Sequence, residues 1–306
     1  MSAVLGIDYG GTRTKLLLAR RIGDEWELVA QRSIATASGS VTAIVDEVRA
    51  FVEGEHVSSF GITVPGVLDE ASGTVLRSTN LPWLDATRPA DDVRAAVPTL
   101  GPGVAVQDGS AAALAEATLG AGRGHSDVFV VTLGTGVAGA HLIDGEIHAG
   151  AHGAAGEIGH VAVGGDLRCS CGGIGCLETF IGGRNLGARW DALGSSANVG
   201  PSGAREVVDA ADAGDVRAVD LLDEATGKLA QGLLGLIATV DPGVIVLGGG
   251  VAQAHDRVVA PTVAKVSEGA TFHTVPPIAS AQLGPWAGAW GAVLRADAVV
   301  RASVVA

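Results

Sequence analysis

The sequence predicts an α/β protein with two lobes and a cleft between them. Two runs of short apolar strands, at residues 4–34 and 127–143, each open a stretch in which strands and amphipathic helices alternate. The chain has 306 residues, of which 47% are hydrophobic and 17% charged, as is typical of a globular protein. Because a single core rarely grows beyond about 250 to 300 residues, this length favours two lobes.

The first half of the chain begins with a predicted β meander over residues 4–8, 15–19 and 26–34, where apolar residues alternate or run together. An amphipathic helix is predicted over 41–52, since its valines and isoleucine fall on one face. The remaining predicted elements are strands over 59–64 and 104–106 and a helix over 110–119 that ends near Gly120.

The second half starts with strands over 127–133 and 137–143 that are predicted to pair around a glycine turn, and Asp144-Gly145 marks a hairpin after them. Residues 145–183 are rich in glycine and lack periodicity, so we expect a functional insert that is not held by a core. The later elements are a long helix from an N-cap at Asp215 to about residue 239, a strand over 244–247 followed by a helix, and a C-terminal helix over 286–300.

The charge balance argues against nucleic acid and anionic membranes as partners. Lysine and arginine number 20 against 33 acidic residues, a formal net charge of −13, and no basic stripe offsets it. A small molecule is the expected ligand. The chain starts without a basic stretch, meets Asp8 early, and has no apolar run near 18 residues, so we expect a cytoplasmic protein with no signal peptide and no membrane span.

Three glycine-rich turns, each following a predicted strand, suggest a nucleotide site. Glycines let backbone amides approach phosphate oxygens, a threonine adds a hydroxyl donor, and Asp8 could hold Mg²⁺ through a bound water. One such turn alone is more often only a turn, and the third could equally serve close helix–strand packing, but together they describe a nucleotide cleft. The candidate nucleotide-binding residues are Asp8, Gly10, Gly11, Thr12, Lys15, Gly134, Thr135, Gly136, Gly248, Gly249 and Gly250.

His160, Cys169, Cys171 and Cys176 have the spacing of a metal site. They supply one imidazole and three thiolates, the ligand set of a closed, tetrahedral structural zinc site. The three cysteines fall within eight residues and are odd in number, which does not suit a disulfide framework. Three unpaired buried thiols are the alternative, but the loop is glycine-rich and polar rather than core-like. The sequence therefore predicts a structural Zn²⁺ whose binding orders residues 160–178.

These motifs, in this order, resemble the ROK family of sugar kinases, part of the actin-like ATPase superfamily. The matching stretches cover nearly the whole chain: residues 6–12, 61–66 and 80–83, Asp108 with its helix, residues 134–136 and 157–160, and the cysteine loop. The resemblance implies an actin-like (ribonuclease H-like) fold, with a small lobe over 1–119 joined by the C-terminal helix 286–306, and a large lobe over 120–285. It also implies phosphoryl transfer from ATP with Mg²⁺ to a sugar, and a homodimer or homotetramer.

The resemblance also assigns the catalytic and sugar-binding residues. Asp108 follows a strand and starts a helix, and its position alone favours a helix cap, whereas the resemblance makes it the general base. The family residue before this base is usually an Asn bound to the sugar, and Gln107 here is one methylene longer. The candidate sugar-binding residues are Asn80, Gln107, Asp108, Glu157, His160 and Glu178.

The substrate and the phosphate donor stay open at this point. Glucose is the first expectation, because Glu157, His160 and Glu178 resemble the glucokinase set; N-acetylmannosamine, fructose, allose or a carbasugar are alternatives, because Gln107 is unusual. Relatives that use polyphosphate generally lack the cysteine loop, which favours ATP. A ROK repressor is disfavoured, because only seven residues precede Asp8. A Rossmann dehydrogenase is disfavoured because no G-x-G-x-x-G opens a helix after the first strand.

Overall fold

The protein folds into two compact units, each built around its own five-stranded sheet. The computed structural model describes residues 2–78, 80–152, 154–194 and 200–305. The first unit comprises Met1–Ala115 and Pro285–Ala306, and the second comprises Glu116–Gly284. None of the helices in these described ranges combines the length and the apolar character needed to cross a bilayer.

The sheet of the first unit combines an antiparallel meander with two parallel strands. Its strands are β1 (Ala3–Tyr9), β2 (Arg13–Ile22), β3 (Glu25–Ala35), β4 (Val57–Val64) and β7 (Gly103–Gln107). Strands β5 (Val67–Asp69) and β6 (Thr74–Arg77) form a separate hairpin. The order is β3-β2-β1-β4-β7, with β4 parallel to β1 and β7 parallel to β4. The carboxyl ends of β1, β4 and β7 therefore meet at one edge, which places Asp8, Thr63 and Gln107 near one another.

Three helices follow in this half of the chain: α1 (Val45–Phe51) after a 3₁₀ turn at Val41–Ile44, α2 (Pro89–Ala96) and α3 (Asp108–Thr118). Val48 of α1 and Val93 of α2 are buried in the same core as Phe60 of β4. Helices α1 and α2 thus cover one apolar face of the sheet.

The second unit repeats the strand–turn–strand opening and adds longer helices. Its strands are β8 (Asp127–Leu133), β9 (Val137–Ile143), β10 (Glu146–Ile147), β11 (Val244–Gly248) and β12 (Ile278–Ser280), in the order β10-β9-β8-β11-β12. Its helices are α4 (Leu177–Ile181), α5 (Gly183–Ala192), α6 (Ala204–Asp212), α7 (Val216–Val240) and α8 (Ala260–Gly269). Leu229 and Leu233 of α7 are fully buried in the core that contains Phe129 of β8.

The last helix, α9 (Ala287–Val305), returns to the first unit and packs on β1 and β4. Gly6 and Gly61 lie beneath it, and a Cβ at either position would collide with the helix backbone, at the carbonyls of Ala289 and Ala292. The missing side chains let the helix lie directly on the strands. Ala306, the end of the predicted helix 286–306, lies outside the described residues.

Most predicted elements are confirmed, with shifts of a few residues at their ends. Strands 127–133 and 137–143 are found as predicted, and Asp144 and Gly145 both have positive φ, 52° and 80°, as the hairpin turn requires. The N-cap at Asp215 is confirmed, since its side chain accepts a hydrogen bond from the Arg217 amide.

Two helix starts were predicted wrongly. Residues 41–44 form a 3₁₀ turn, so that the α-helix covers only Val45–Phe51. Helix α3 begins at Asp108 and not at residue 110, because the side chains of Gln107 and Asp108 accept the first free amides of the helix. The short helices α2, α5 and α6 and strand β12 were not predicted, since their apolar runs are brief and flanked by glycine or proline.

Candidate active site

Asp8 lies at the carboxyl end of β1, and both of its carboxylate oxygens are engaged. Oδ2 accepts a hydrogen bond from Lys15 Nζ at 2.7 Å, and Oδ1 accepts one from Thr63 Oγ1 at 2.8 Å. The Asp8 side chain is only 13% exposed, and a Cβ on Gly288 of α9 would lie 2.9 Å from its Cγ. The structure therefore joins two predicted nucleotide-binding residues, Asp8 and Lys15, in one ion pair and holds the carboxylate in a fixed place.

The first glycine turn is supported from one side and exposed on the other. The Gly10 amide donates to the Arg13 carbonyl at 3.2 Å, which closes the turn. Thr36 donates its hydroxyl to the Gly10 carbonyl at 2.7 Å and its amide to the Thr12 carbonyl at 3.0 Å. Gly11 and Thr12 are exposed. These hydrogen bonds fix the turn, and residues 11 and 12 are exposed to solvent.

Asp108 stands at the junction of β7 and α3, with one carboxylate oxygen held and the other free. Oδ1 accepts hydrogen bonds from the Gly109 amide and from Gln107 Nε2, both at 2.8 Å. Among the described residues, nothing donates a hydrogen bond to Oδ2. Burial raises the pKa of Asp108, the bond from the Gly109 amide opposes this rise, and the negative charge of Asp8 adds to it. The site can therefore accept a proton at Oδ2.

Gly134 and Thr135 of the second glycine turn and Gly250 of the third line one cavity in the second unit. This cavity has a volume of about 920 Å³, and Gly134, Thr135 and Gly250 are among its lining residues. The carbonyls of Gly134 and Thr135 accept hydrogen bonds from the amides of Gly183 and Arg184, at 2.8 and 3.1 Å, so the turn is joined to the start of α5. A cavity of this size accommodates a drug-sized ligand.

The third glycine turn also has a packing role. Gly249 has φ of 89°, and a Cβ there would collide with the Leu133 carbonyl at the end of β8. Glycine at 249 is thus required because the turn approaches the end of a neighbouring strand closely, which differs from the helix–strand packing considered above. Gly248, by contrast, ends β11, and Gly250 faces the cavity.

The four predicted metal ligands converge. The ligand atoms of His160, Cys169, Cys171 and Cys176 all lie within 4.8 Å of one another. Sγ of Cys171 and Sγ of Cys176 are 3.7 Å apart, and Sγ of Cys169 is 3.6 Å from Nδ1 of His160. The Gly173 amide lies 3.4 Å from Cys171 Sγ, to which it donates. The fold therefore brings together ligands that the sequence spreads over the 160–176 segment.

These distances fit a tetrahedral zinc site. Zinc–sulfur bonds of about 2.3 Å and a zinc–nitrogen bond of about 2.05 Å place the sulfurs about 3.8 Å apart and sulfur about 3.6 Å from nitrogen. The observed separations are 3.7 and 3.6 Å. Burial and the two neighbouring thiols raise the pKa of Cys176 to about 12, whereas the hydrogen bond from the Gly173 amide lowers the pKa of Cys171.

The predicted sugar-binding carboxylates lie beside the metal ligands. Nε2 of His160 is 3.9 Å from Oε2 of Glu157, while Nδ1 of the same ring faces the cysteines. Glu157 is exposed, with 62% of its side chain accessible. Glu178, in the first turn of α4, accepts a hydrogen bond from the Val137 amide at 2.9 Å, and Gly136 has no side chain to displace it. Glu178 is therefore held in place, whereas Glu157 is free to turn.

Asn80, the remaining sugar candidate, is exposed on the first unit just before the 3₁₀ turn Pro82–Leu84. Thr36 and Thr63, which hold the first glycine turn and Asp8, are not predicted from the sequence. Glu116 is not predicted either; this residue is only 3% exposed, and its carboxylate accepts hydrogen bonds from the amides of Gln282 and Leu283 at 3.0 and 2.7 Å. The position of Glu116 among the alanines of α3 was the sequence feature that could have indicated a buried carboxylate.

Comparison with known proteins gives matches over nearly the whole chain. A model of the ROK family matches residues 4–298. The chain is 32% identical over 297 residues to a glucokinase of Halalkalibacterium halodurans, with 88% of each protein covered. It is 33% identical over 306 residues to the N-acetylgalactosamine kinase AgaK of Shewanella sp., with 94% of this chain and 95% of that protein covered.

The fold is likewise similar to that of a solved structure. A crystal structure of a ROK family glucokinase from Streptomyces griseus, in complex with glucose and AMPPNP, aligns with a TM-score of 0.76 and 31% identity. The alignment covers 97% of this chain and 100% of that one. The sequence matches and the structural match therefore both extend over nearly the whole chain.

Proposed function

The chain belongs to the ROK family, and we propose that it is an ATP-dependent kinase that phosphorylates a hexose hydroxyl with Asp108 as the general base. The observation that carries the proposal is the Asp108 carboxylate, whose Oδ1 is held by two donors while Oδ2 accepts none from the described residues. A helix cap needs only one of the two oxygens. The second oxygen is left for a ligand.

The reaction assigns a separate task to each oxygen of Asp108. The acceptor hydroxyl oxygen of the sugar attacks the γ-phosphorus of ATP, the bond to the oxygen that bridges the β- and γ-phosphates breaks, and the hydroxyl proton moves to Oδ2. Oδ1 keeps its bonds to Gly109 and Gln107 throughout, so the carboxylate does not have to reorient. Because burial raises its pKa, Asp108 is a stronger base than an exposed aspartate.

We assign nucleotide binding to the three glycine turns. The exposed Gly11 and Thr12 offer amides and a hydroxyl to phosphate oxygens. The cavity lined by Gly134, Thr135 and Gly250 has room for a nucleoside. Mg²⁺ bound with ATP would neutralise phosphate charge, and Asp8 would hold it through its water ligands.

We assign a structural Zn²⁺ to His160, Cys169, Cys171 and Cys176, on the strength of ligand separations that match tetrahedral geometry. Such a site has no open coordination position for chemistry. Its role is to order the loop 160–178, which has no core of its own.

We assign sugar binding to Asn80, Glu157, His160 and Glu178, with glucose as the first substrate to test. Glu178 is held by the backbone of β9 and so presents its free oxygen with little freedom. The identities to a glucokinase and to an N-acetylgalactosamine kinase are nearly equal, at 32% and 33%. N-acetylated amino sugars, fructose, allose and carbasugars therefore belong beside glucose as candidates.

A coupled assay for ADP, run over hexoses, N-acetylated amino sugars and cyclitols, tests this proposal. One member should be phosphorylated with ATP at least tenfold better than the rest, and Asp108→Asn should abolish that turnover. Parallel reactions with polyphosphate test the donor. Absence of turnover on every sugar, with the protein folded and loaded with zinc, would contradict the kinase assignment.

A further inference from the structure

Both polar atoms of the Gln107 side-chain amide make hydrogen bonds within its own unit. Nε2 donates to Asp108 Oδ1 at 2.8 Å, and Oε1 accepts the Ser110 amide at 2.7 Å. The amide therefore connects the carboxylate at the start of α3 to a backbone donor in the first turn of the same helix. These two bonds fix the orientation of the amide toward α3.

The surroundings hold this amide where it is. The backbone of Gln107 pairs with Val64 of β4, which anchors the end of β7. Below the amide lies Gly109, where a Cβ would sit 3.2 Å from Oε1 and 3.4 Å from Nε2 of Gln107. Those distances are closer than ordinary van der Waals contact, so the absence of a side chain at 109 leaves the room that the amide occupies.

The position of the Gln107 amide determines the orientation of the Asp108 carboxylate. With Gln107 Nε2 and the Gly109 amide both on Oδ1, the plane of the carboxylate is set and Oδ2 is the oxygen left for a proton. A donor to a carboxylate favours its charged form. It thus opposes the burial and the nearby charge of Asp8, which is itself paired with Lys15. The Gln107 amide therefore orients the base and favours its charged form.

We propose that Gln107 is a positioning residue for the base, acting through Asp108 Oδ1 rather than by contact with the sugar. This inference rests on the proposed phosphoryl transfer. It also gives the longer side chain a reason of its own: an Asn would be shorter by roughly 1.5 Å, too short to reach both Ser110 and Asp108 from the same backbone position.

Two variants test the two halves of this contact. Gln107→Glu keeps an oxygen for the Ser110 amide but replaces the donor to Asp108 with a second acceptor, so α3 keeps its cap while the base loses its partner. Gln107→Leu removes both bonds at similar volume. Gln31→Leu makes the same chemical change at an exposed position on β3 and is the matched control.

We expect both Gln107 variants to lower kcat at least tenfold with the sugar KM changed less than about threefold. The acidic limb of kcat/KM should move to higher pH by about one pH unit, because a hydrogen bond to a charged group contributes roughly that much. Gln31→Leu should match wild type. A rise in sugar KM with the acidic limb unmoved would overturn the proposal and place Gln107 on the sugar.

A second measurement does not depend on turnover. Carbon-13 NMR of the aspartate carboxyl groups, with the Asp108 signal assigned from Asp108→Asn, follows the titration of Asp108 in the protein without substrate. Its titration should shift to higher pH in Gln107→Glu and in Gln107→Leu. An unchanged titration would refute the contact even if a kinase activity is found, and a shifted one would support it even if no sugar in the panel is phosphorylated.

Discussion

Replacing Asp108 with Asn separates proton transfer from the start of the helix. The amide oxygen of Asn can still accept the Gly109 amide and Gln107 Nε2, as Oδ1 does now. Its nitrogen takes the position of Oδ2, to which no described residue donates. The fold and the cap of α3 should survive, while the group that accepts the proton is lost. General-base catalysis contributes about 10²- to 10⁴-fold, or about 3 to 5 kcal/mol of barrier.

The same substitution has a predictable effect on stability. Burial raises the pKa of Asp108 in the folded protein above its ordinary value of 3.8, so folding favours the neutral form. That stabilisation is fully present below pH 3.8 and is lost as pH rises through the raised pKa. Burial disfavours the wild-type carboxylate once it is charged, whereas Asn is neutral at every pH. The variant should therefore unfold at the same or a higher temperature than wild type at pH 7.

Steady-state ADP release, sugar binding by calorimetry and thermal unfolding measure the three expected outcomes. Asp24→Asn, at an exposed turn between β2 and β3, is the control for a lost carboxylate. In wild type, kcat/KM should fall as pH drops through the Asp108 pKa. Turnover above about a tenth of wild type in Asp108→Asn would show that Asp108 is a helix cap only, and a markedly lower Tm would mean that lost folding explains lost activity.

Three further outcomes follow from other contacts. Cys171→Ser should lose the single zinc per chain and weaken sugar binding more than nucleotide binding; elemental analysis of wild type finding well under one zinc per chain would contradict this. Glu116→Ala should destabilise the protein by about 1 to 3 kcal/mol, because it leaves the part-buried amide of Leu283 without its acceptor; urea unfolding measures this, and Glu116→Gln should recover part of the loss. Gly61→Ala should destabilise by about 1 to 3 kcal/mol through collision with the Ala292 carbonyl, and a Tm equal to wild type would show that α9 yields.

The predictions that were confirmed rest on local sequence patterns. Strands β8 and β9 follow from apolar runs, because a strand's identity depends on which of its own residues are buried. The turn at Asp144-Gly145 follows from the left-handed backbone that these two residue types tolerate. The spacing of His160 and the cysteines likewise identified a ligand set whose atoms the fold gathers within 4.8 Å.

Side-chain partners were decided by the tertiary structure. Glu116 accepts an amide 167 residues away at Leu283, and Glu178 accepts one 41 residues away at Val137. The sequence by itself determined the α/β class, the paired strands that open each half of the chain, and the candidate metal ligands, because each depends on residue type and short spacing. Which oxygen of Asp108 is held and which stays free depends on Gln107, whose direction is set by packing over Gly109 and pairing with β4. The periodicity of the sequence does not encode the direction of the Gln107 side chain, because its rotamer depends on neighbours that come close only in the folded protein.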